Sequence, residues 1–199
     1  MKNIVFLSLA IAILAAFTGC SVEKRVTPVQ QESIAVPAQI SPYHRKDWPH
    51  WIDADGDCQN TRQEMLIASS QIPVKFKNAR HCTVVSGQWF GVYTGKTFTK
   101  PSDVDIDHIV PLAHAHRHGA DKWTRDQRRV FANDFENLLV VDDAVNQSKG
   151  DQAPDEWLPP RKEYWCEYGK RWTYIKEKYQ LWIGAQEKET LGMLARTCR

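Results

Sequence analysis

Several familiar signatures are missing from this sequence. None of its five cysteines forms a Cys-x-x-Cys pair, so a four-cysteine zinc site has little support. No glutamate follows the first histidine of the pair His114 and His118, so the H-E-x-x-H metalloprotease pattern is absent. The formal net charge is only +2, which excludes a polycation that holds nucleic acid by bulk charge; any attraction for phosphate must come from local clustering. No internal repeat is visible. The apolar run at the start, Ile4 to Phe17, falls short of the ~20 residues a spanning helix needs.

That run follows Lys2 and leads into Thr18-Gly19-Cys20, the layout of a signal peptide over residues 1–19. The small residues before Cys20 resemble a bacterial lipobox, with Phe17 where Leu is usual. Cys20 is therefore expected to be the lipidated first residue of an exported, membrane-anchored protein; a free or buried cysteine in an ordinary secreted chain is the alternative. Ser21 after it resembles the outer-membrane sorting pattern. Residues 20–42 hold Pro28, Pro37 and Pro42 among Gln, Ser and Val and read as a flexible tether. Residues 43–199 then form one domain, expected to be a monomer, with a core of its own.

Four cysteines remain in that domain, Cys58, Cys82, Cys166 and Cys198, and an even count in an exported chain reads as two disulfides. Three pairings exist. Cys58–Cys82 with Cys166–Cys198 is favoured, because each bond then staples a terminal segment and leaves the middle free.

Along the domain, Asp53, Asp55, Asp57 and Glu64 occupy places one, three, five and twelve of an EF-hand loop. Cys58 stands where that loop needs Gly, and Thr61-x-x-Glu64 is a capping box for a helix to about Ser70, so a capped acidic turn is preferred over a Ca²⁺ site. Residues 82–98 are β-branched and aromatic, broken by Gly87, Gly91 and Gly95, and read as a hairpin. Trp89 and Tyr93 within it are placed in the core ahead of base stacking. His114, His116 and His118 are read as a solvated helix face ahead of a zinc site. Thr124-x-x-Gln127 caps a helix to about Asn133, whose Arg125, Arg128 and Arg129, with Lys122, are the densest basic patch. Trp172, Ile175, Tyr179 and Trp182 form a core-facing stripe with Lys170, Lys176 and Lys178 between them, and a last short helix carries Leu191, Leu194 and Ala195. Helices around a hairpin make an α+β domain.

The chemistry concentrates in Asp105–Gly150. A short strand ends in Asp107 and His108 before Pro111, a second strand spans Asn137 to Val141, and a helix starting at Asp142 or Asp143 carries Asn146 and Lys149 to Gly150. His108, with an ordinary pKa of about 6.5, suits a general base. Asp107 and Asn146 are oxygen donors of the kind Mg²⁺ prefers. Adjacent strand residues point to opposite faces, so Asp107 and His108 both face one phosphate only if the strand ends or bulges there. Asn137 can bond the loop carrying His108, and Lys149, one turn after Asn146, is placed to approach a phosphate oxygen.

DHIVPL, FANDFENLLVV, NQSKGD and PDEWLPP, in that order, resemble the HNH-type (His-Me finger, ββα-metal) endonucleases, and within them the exported bacterial branch in which Asn replaces the last His of the triad. The resemblance runs from about Trp51 to Cys198, with the catalytic core at about 103–151. It implies a ββα-metal finger core, stapled by disulfides, that hydrolyses phosphodiester bonds in DNA, and in RNA as well, with little sequence specificity. It assigns the general base to His108, metal ligation to Asp107 and Asn146, positioning to Asn137, and a place in the cleft to Arg62 and Glu64. Asn in the last place favours Mg²⁺, then Mn²⁺, over zinc. A calcium- or zinc-binding envelope lipoprotein without catalysis is the competing expectation.

Overall fold

The computed structural model describes residues 40–198. The expected signal peptide, Cys20 and the tether as far as residue 39 lie outside the described residues. Within them no helix is long and apolar enough to cross a membrane.

The domain is α+β, and the pair that organises it is β5 (Val104–His108) with β6 (Leu138–Asp142), antiparallel and in unbroken register from Val104↔Asp142 to His108↔Leu138. Strand alternation gives the pair two apolar faces. Val104, Ile106, Leu138 and Val140 join Leu66 and Trp89 in one cluster. Val141, together with Ile109 and Val110 just past β5, belongs to a larger cluster that includes Tyr93, Phe131, Tyr168 and Trp172. The helix α4 (Asp143–Lys149) starts where β6 stops, because the Asp142 carboxylate accepts from Val145 N at 3.1 Å and caps it. It ends at Gly150, whose φ of +55° suits glycine.

The element β3 (Trp89–Gly91) forms a hairpin with β4 (Lys96–Phe98), the second half of the expected one. Gly91 is required there, since a Cβ would lie 2.9 Å from the Phe98 ring. The first half goes elsewhere: β2 (Val84–Ser86) pairs with β1 (Lys75–Phe76) across an irregular register. Trp89 and Tyr93 are both fully buried, so neither is available to stack on a base.

The helix α1 (Thr61–Ser69) is capped one residue earlier than the sequence suggested. Asn60 accepts from Gln63 N, while the Thr61 hydroxyl turns inward to Asn133 Oδ1 at 2.8 Å. Glu64 thus falls one place beyond the box position. The capping box of Thr124 and Gln127 forms with both bonds and opens α3 (Arg125–Ala132). In α2 (Leu112–Arg117) His114 and His116 are buried, which corrects the expected solvated face. The long α5 (Trp165–Lys178) and α6 (Ala185–Ala195) follow. Trp172 and Ile175 enter the core as expected, but the stripe ends with α5. Trp182 lies past it and is 53% exposed, and Lys176, read as a solvated position, is fully buried.

The disulfides are Cys58–Cys82 and Cys166–Cys198. One holds the acidic loop to the approach of β2; the other closes α5 onto the end of α6. Losing a native disulfide from a small exported domain typically costs about 2–5 kcal/mol.

Candidate active site

The end of β5 brings together most of the polar chemistry. His108 Nε2 lies 2.9 Å from the carbonyl oxygen of Ala132. A carbonyl only accepts, so Nε2 carries the proton and Nδ1 keeps its lone pair. The Trp51 ring stacks on the imidazole, centroids 5.5 Å apart and planes 25° apart. Burial disfavours the imidazolium, and the bond to Ala132 offsets this only in part, so the His108 pKa is lowered to about 3. The ring is neutral across the physiological range.

Asn137, fully buried, clamps the two residues after His108. Its Oδ1 accepts from Val110 N at 2.9 Å, its Nδ2 donates to Val110 O at 3.2 Å, and its own carbonyl accepts from Ile109 N at 2.8 Å. These bonds fix the backbone that presents the imidazole.

Asp107 leaves β5 on the opposite face. The ladder shows no bulge, and β5 ends at His108, as expected of a strand closing on this pair. The carboxylate is 4% exposed; Oδ2 accepts from the Tyr93 hydroxyl at 2.7 Å and Oδ1 from Lys149 Nζ at 2.8 Å. Lys149 also donates to His108 O at 2.9 Å. It is wholly buried, so the expectation that it approaches a phosphate is corrected: the helix turn between Asn146 and Lys149 rotates the lysine into the protein. Burial lowers its pKa and Asp107 opposes the shift.

Asn146 is half-buried and donates from Nδ2 to Asp105 Oδ2 at 3.1 Å, which leaves its amide oxygen available. Asp105 shares a strand face with Asp107 and lies within reach of Asp143. Its pKa is raised by burial; the Asn146 bond opposes this and the neighbouring Asp143 carboxylate adds to it. The Asn146 amide oxygen and the neighbouring carboxylates are oxygen donors of the kind a hard divalent cation takes.

A cleft of about 420 Å³ runs past this end of the strand pair, lined by Asp107, His108 and Asn146 with Tyr43, Arg45 and Asp151. Because β5 has no second strand partner among the described residues, side chains from its two faces reach one cleft around its edge. The cation there is the exposed Arg45, to which sequence reasoning gave no role. Asp105, Trp51 and Tyr93 were also missed; only Asp105 had a signal, its two-residue spacing from Asp107 on one strand face.

The residues expected to hold substrate do not line this cleft. Arg62 donates to Pro101 O and Val104 O at 2.9 and 3.2 Å and pins the start of β5. Glu64 faces Asp55, Asp57 and Asp53, which together with its partial burial raise its pKa. Arg128 donates to Asp121 O and lies over the Trp48 ring at 5.6 Å. Arg129 faces Asp126 at 3.6 Å, and Arg125 is exposed on the same helix. In the acidic loop, one oxygen each of Asp55 and Asp57 and both of Asp53 accept backbone N–H groups of Gly56, Asp57, Cys58 and Gln59, and Cys58 takes φ +73°; the three exposed carboxylates nonetheless bring an oxygen each within 4.8 Å of the others.

A family model described as "GmrSD restriction endonucleases, C-terminal domain" matches residues 64–193, from α1 to near the end of α6. A protein of Arthroderma benhamiae described as an uncharacterized secreted protein is 44% identical over 158 residues, covering 78% of this chain and 76% of its own length. No solved structure matches.

Proposed function

The chain belongs to the family of GmrSD restriction endonuclease C-terminal domains, and from that premise we propose that it is an exported, metal-dependent endonuclease whose active site is the cleft at the end of β5. The observation that carries this reading is His108: a neutral imidazole whose Nε2 is committed to Ala132 O, whose Nδ1 is left to accept, and whose backbone is clamped by Asn137. Strand, strand and helix in β5, β6 and α4 are taken as a ββα-metal finger of HNH type, with Asn146 in the place of the last His, as in the exported bacterial branch.

In this reading His108 Nδ1 takes the proton of the attacking water, and Asn137 holds the imidazole at the cleft. Asn146 Oδ1 and Asp107, with Asp105 bonded to the Asn146 amide, are the residues that would hold a divalent cation, Mg²⁺ by preference and Mn²⁺ next. When bound, that cation stabilises the charge that develops on the phosphate and the leaving oxygen. Asp107 joins the ligand set only through lone pairs left over from Lys149 and Tyr93. Lys149 acts as a strut, holding α4 to the His108 carbonyl. Arg45 supplies positive charge for the phosphodiester. Cleavage that tolerates sequence, in DNA and in RNA, is the part of the reading that rests on the HNH resemblance. The test is digestion of plasmid and of RNA by the full chain with and without EDTA; cleavage unchanged in EDTA would remove the metal from the reading.

Export is supported by the relative described as secreted. Anchoring through lipid on Cys20, with outer-membrane sorting, is the finer proposal. Cys20→Ser should release the protein from the membrane fraction, and an unchanged membrane-bound share would refute the anchor. The competing view is a non-catalytic calcium- or zinc-binding lipoprotein, which rests on the acidic loop of Asp53, Asp55 and Asp57 and on the histidines of α2; metal-dependent cleavage in the EDTA comparison separates it from the nuclease.

A further inference from the structure

A second polar cluster lies away from the cleft, where α2 meets α6. His114 Nε2 is 3.6 Å from Glu187 Oε1, and His118 Nε2 is 3.8 Å from Glu187 Oε2. One ligand atom from each of the three residues lies within 4.8 Å of the others. The nitrogens are set for it. His118 Nδ1 is 2.8 Å from the carbonyl of His114, so it carries the proton and Nε2 is the free acceptor. His114 Nε2 receives Lys176 Nζ at 2.9 Å and is likewise an acceptor. We propose that His114, His118 and Glu187 form a binding site for a borderline divalent metal, Zn²⁺ above all, which ties α2 to α6.

The donor set, two neutral imidazoles and a carboxylate, is one that zinc takes, with its fourth position left open. Tetrahedral zinc with bonds of about 2.0–2.1 Å places its ligands roughly 3.3–3.4 Å apart; the two imidazoles face different oxygens of Glu187, at 3.6 and 3.8 Å, so one ion would meet the carboxylate through both oxygens or after a small turn of it. The two rings are stacked, centroids 3.8 Å apart and 14° between planes, so their lone pairs run parallel and a ring rotation must turn both toward one ion. His118 stands at the mouth of a cleft of about 280 Å³ that also has Asp155 and Glu156 on its wall, which gives an ion a route in and negative charge nearby.

The carboxylate is already oriented. Trp172 Nε1 donates to Glu187 Oε1 at 2.6 Å and Gly184 N to Oε2 at 2.9 Å. Outer hydrogen bonds of this kind orient metal ligands. The competitor is Lys176, whose buried Nζ is 3.0 Å from Glu187 Oε1 as well as bonded to His114. In the metal-free protein its ammonium is the cation of the cluster. Its Nζ also lies 3.3 Å from Oε2, so zinc would have to take the His114 lone pair from the ammonium and displace it from at least one carboxylate oxygen.

That arrangement makes Lys176 the discriminating residue. The full chain is titrated with Zn²⁺ by calorimetry, and with Co²⁺, whose visible absorption reports a tetrahedral nitrogen and oxygen site. His118→Ala, at the cleft edge, should weaken binding by at least about tenfold, the loss that follows even from removing an outer partner of a zinc ligand. Lys176→Met should tighten it, because the competing ammonium is gone, and Asn146→Ala in the nuclease cleft should leave it unchanged. Thermal melting checks that each variant folds, and zinc should raise the melting temperature of the wild type but not of His118→Ala. The proposal is overturned if the wild type binds no Zn²⁺ at micromolar concentration, if binding survives His118→Ala, or if Asn146→Ala abolishes it.

Discussion

His108→Ala should leave metal binding and folding intact and slow cleavage by ~10²–10⁴, the usual worth of a positioned base. The structure sharpens what accompanies that loss. Because burial lowers the His108 pKa to about 3, its protonation is not what limits the rate near neutrality. The ordinary histidine value would have predicted a fall below about pH 6. The buried ring predicts instead a rate that does not fall through this group until the pH is far lower. The linkage carries the same sign for stability. A histidine whose folded pKa lies below its unfolded value contributes fully above about pH 6.5 and loses that contribution as the pH falls toward 3. A pH–rate profile of the wild type between pH 5 and 8, set beside the His108→Ala rate, checks both. Wild-type speed in the variant would refute the base assignment, and an inflection near pH 6.5 that vanishes in it would refute the burial argument.

The strand-strand-helix order of Asp105–Gly150 was legible because each junction carries local chemistry: Asp142 as a cap, Gly150 as a stop, and apolar alternation in both strands. The disulfide pairing was legible by the same economy, since each bond joins segments on one side of the catalytic stretch. The direction in which a side chain leaves its element was less legible. Lys149 reads as a phosphate contact and Lys176 as one of the lysines set among the stripe, yet each is buried against a carboxylate of another element, Asp107 on β5 and Glu187 on α6. Likewise resemblance places Arg62 in the cleft and charge clustering singles out Arg128, while the fold uses their guanidinium groups to satisfy backbone carbonyls. Pairings across dozens of residues leave no periodicity to read. The Asn146–Asp105 bond spans 41 positions and decides which amide atom faces the cleft.

Asp107→Ala should lose activity chiefly by unfolding the site, so that added Mg²⁺ or Mn²⁺ does not restore it, contrary to what a simple ligand loss predicts. Removing the carboxylate leaves the Lys149 ammonium wholly buried with only the His108 carbonyl as partner, and breaking one side of a buried pair costs about 3–5 kcal/mol. Lys149→Met should cost a similar amount, because it leaves Asp107 ionised with Tyr93 alone and frees α4 from the end of β5. Replacing both together, Asp107→Leu with Lys149→Met, removes the uncompensated charge and should recover much of the lost stability without recovering activity. Asn146→Ala makes the contrast. It is half-buried and takes no part in that pair, so it should abolish metal-dependent cleavage while shifting the unfolding midpoint little. Denaturant unfolding of the four variants beside the wild type gives the answer. If Asp107→Ala unfolds at the wild-type midpoint and regains its rate in excess Mg²⁺, then Asp107 is a plain metal ligand and the strut formed with Lys149 is not what holds the cleft together.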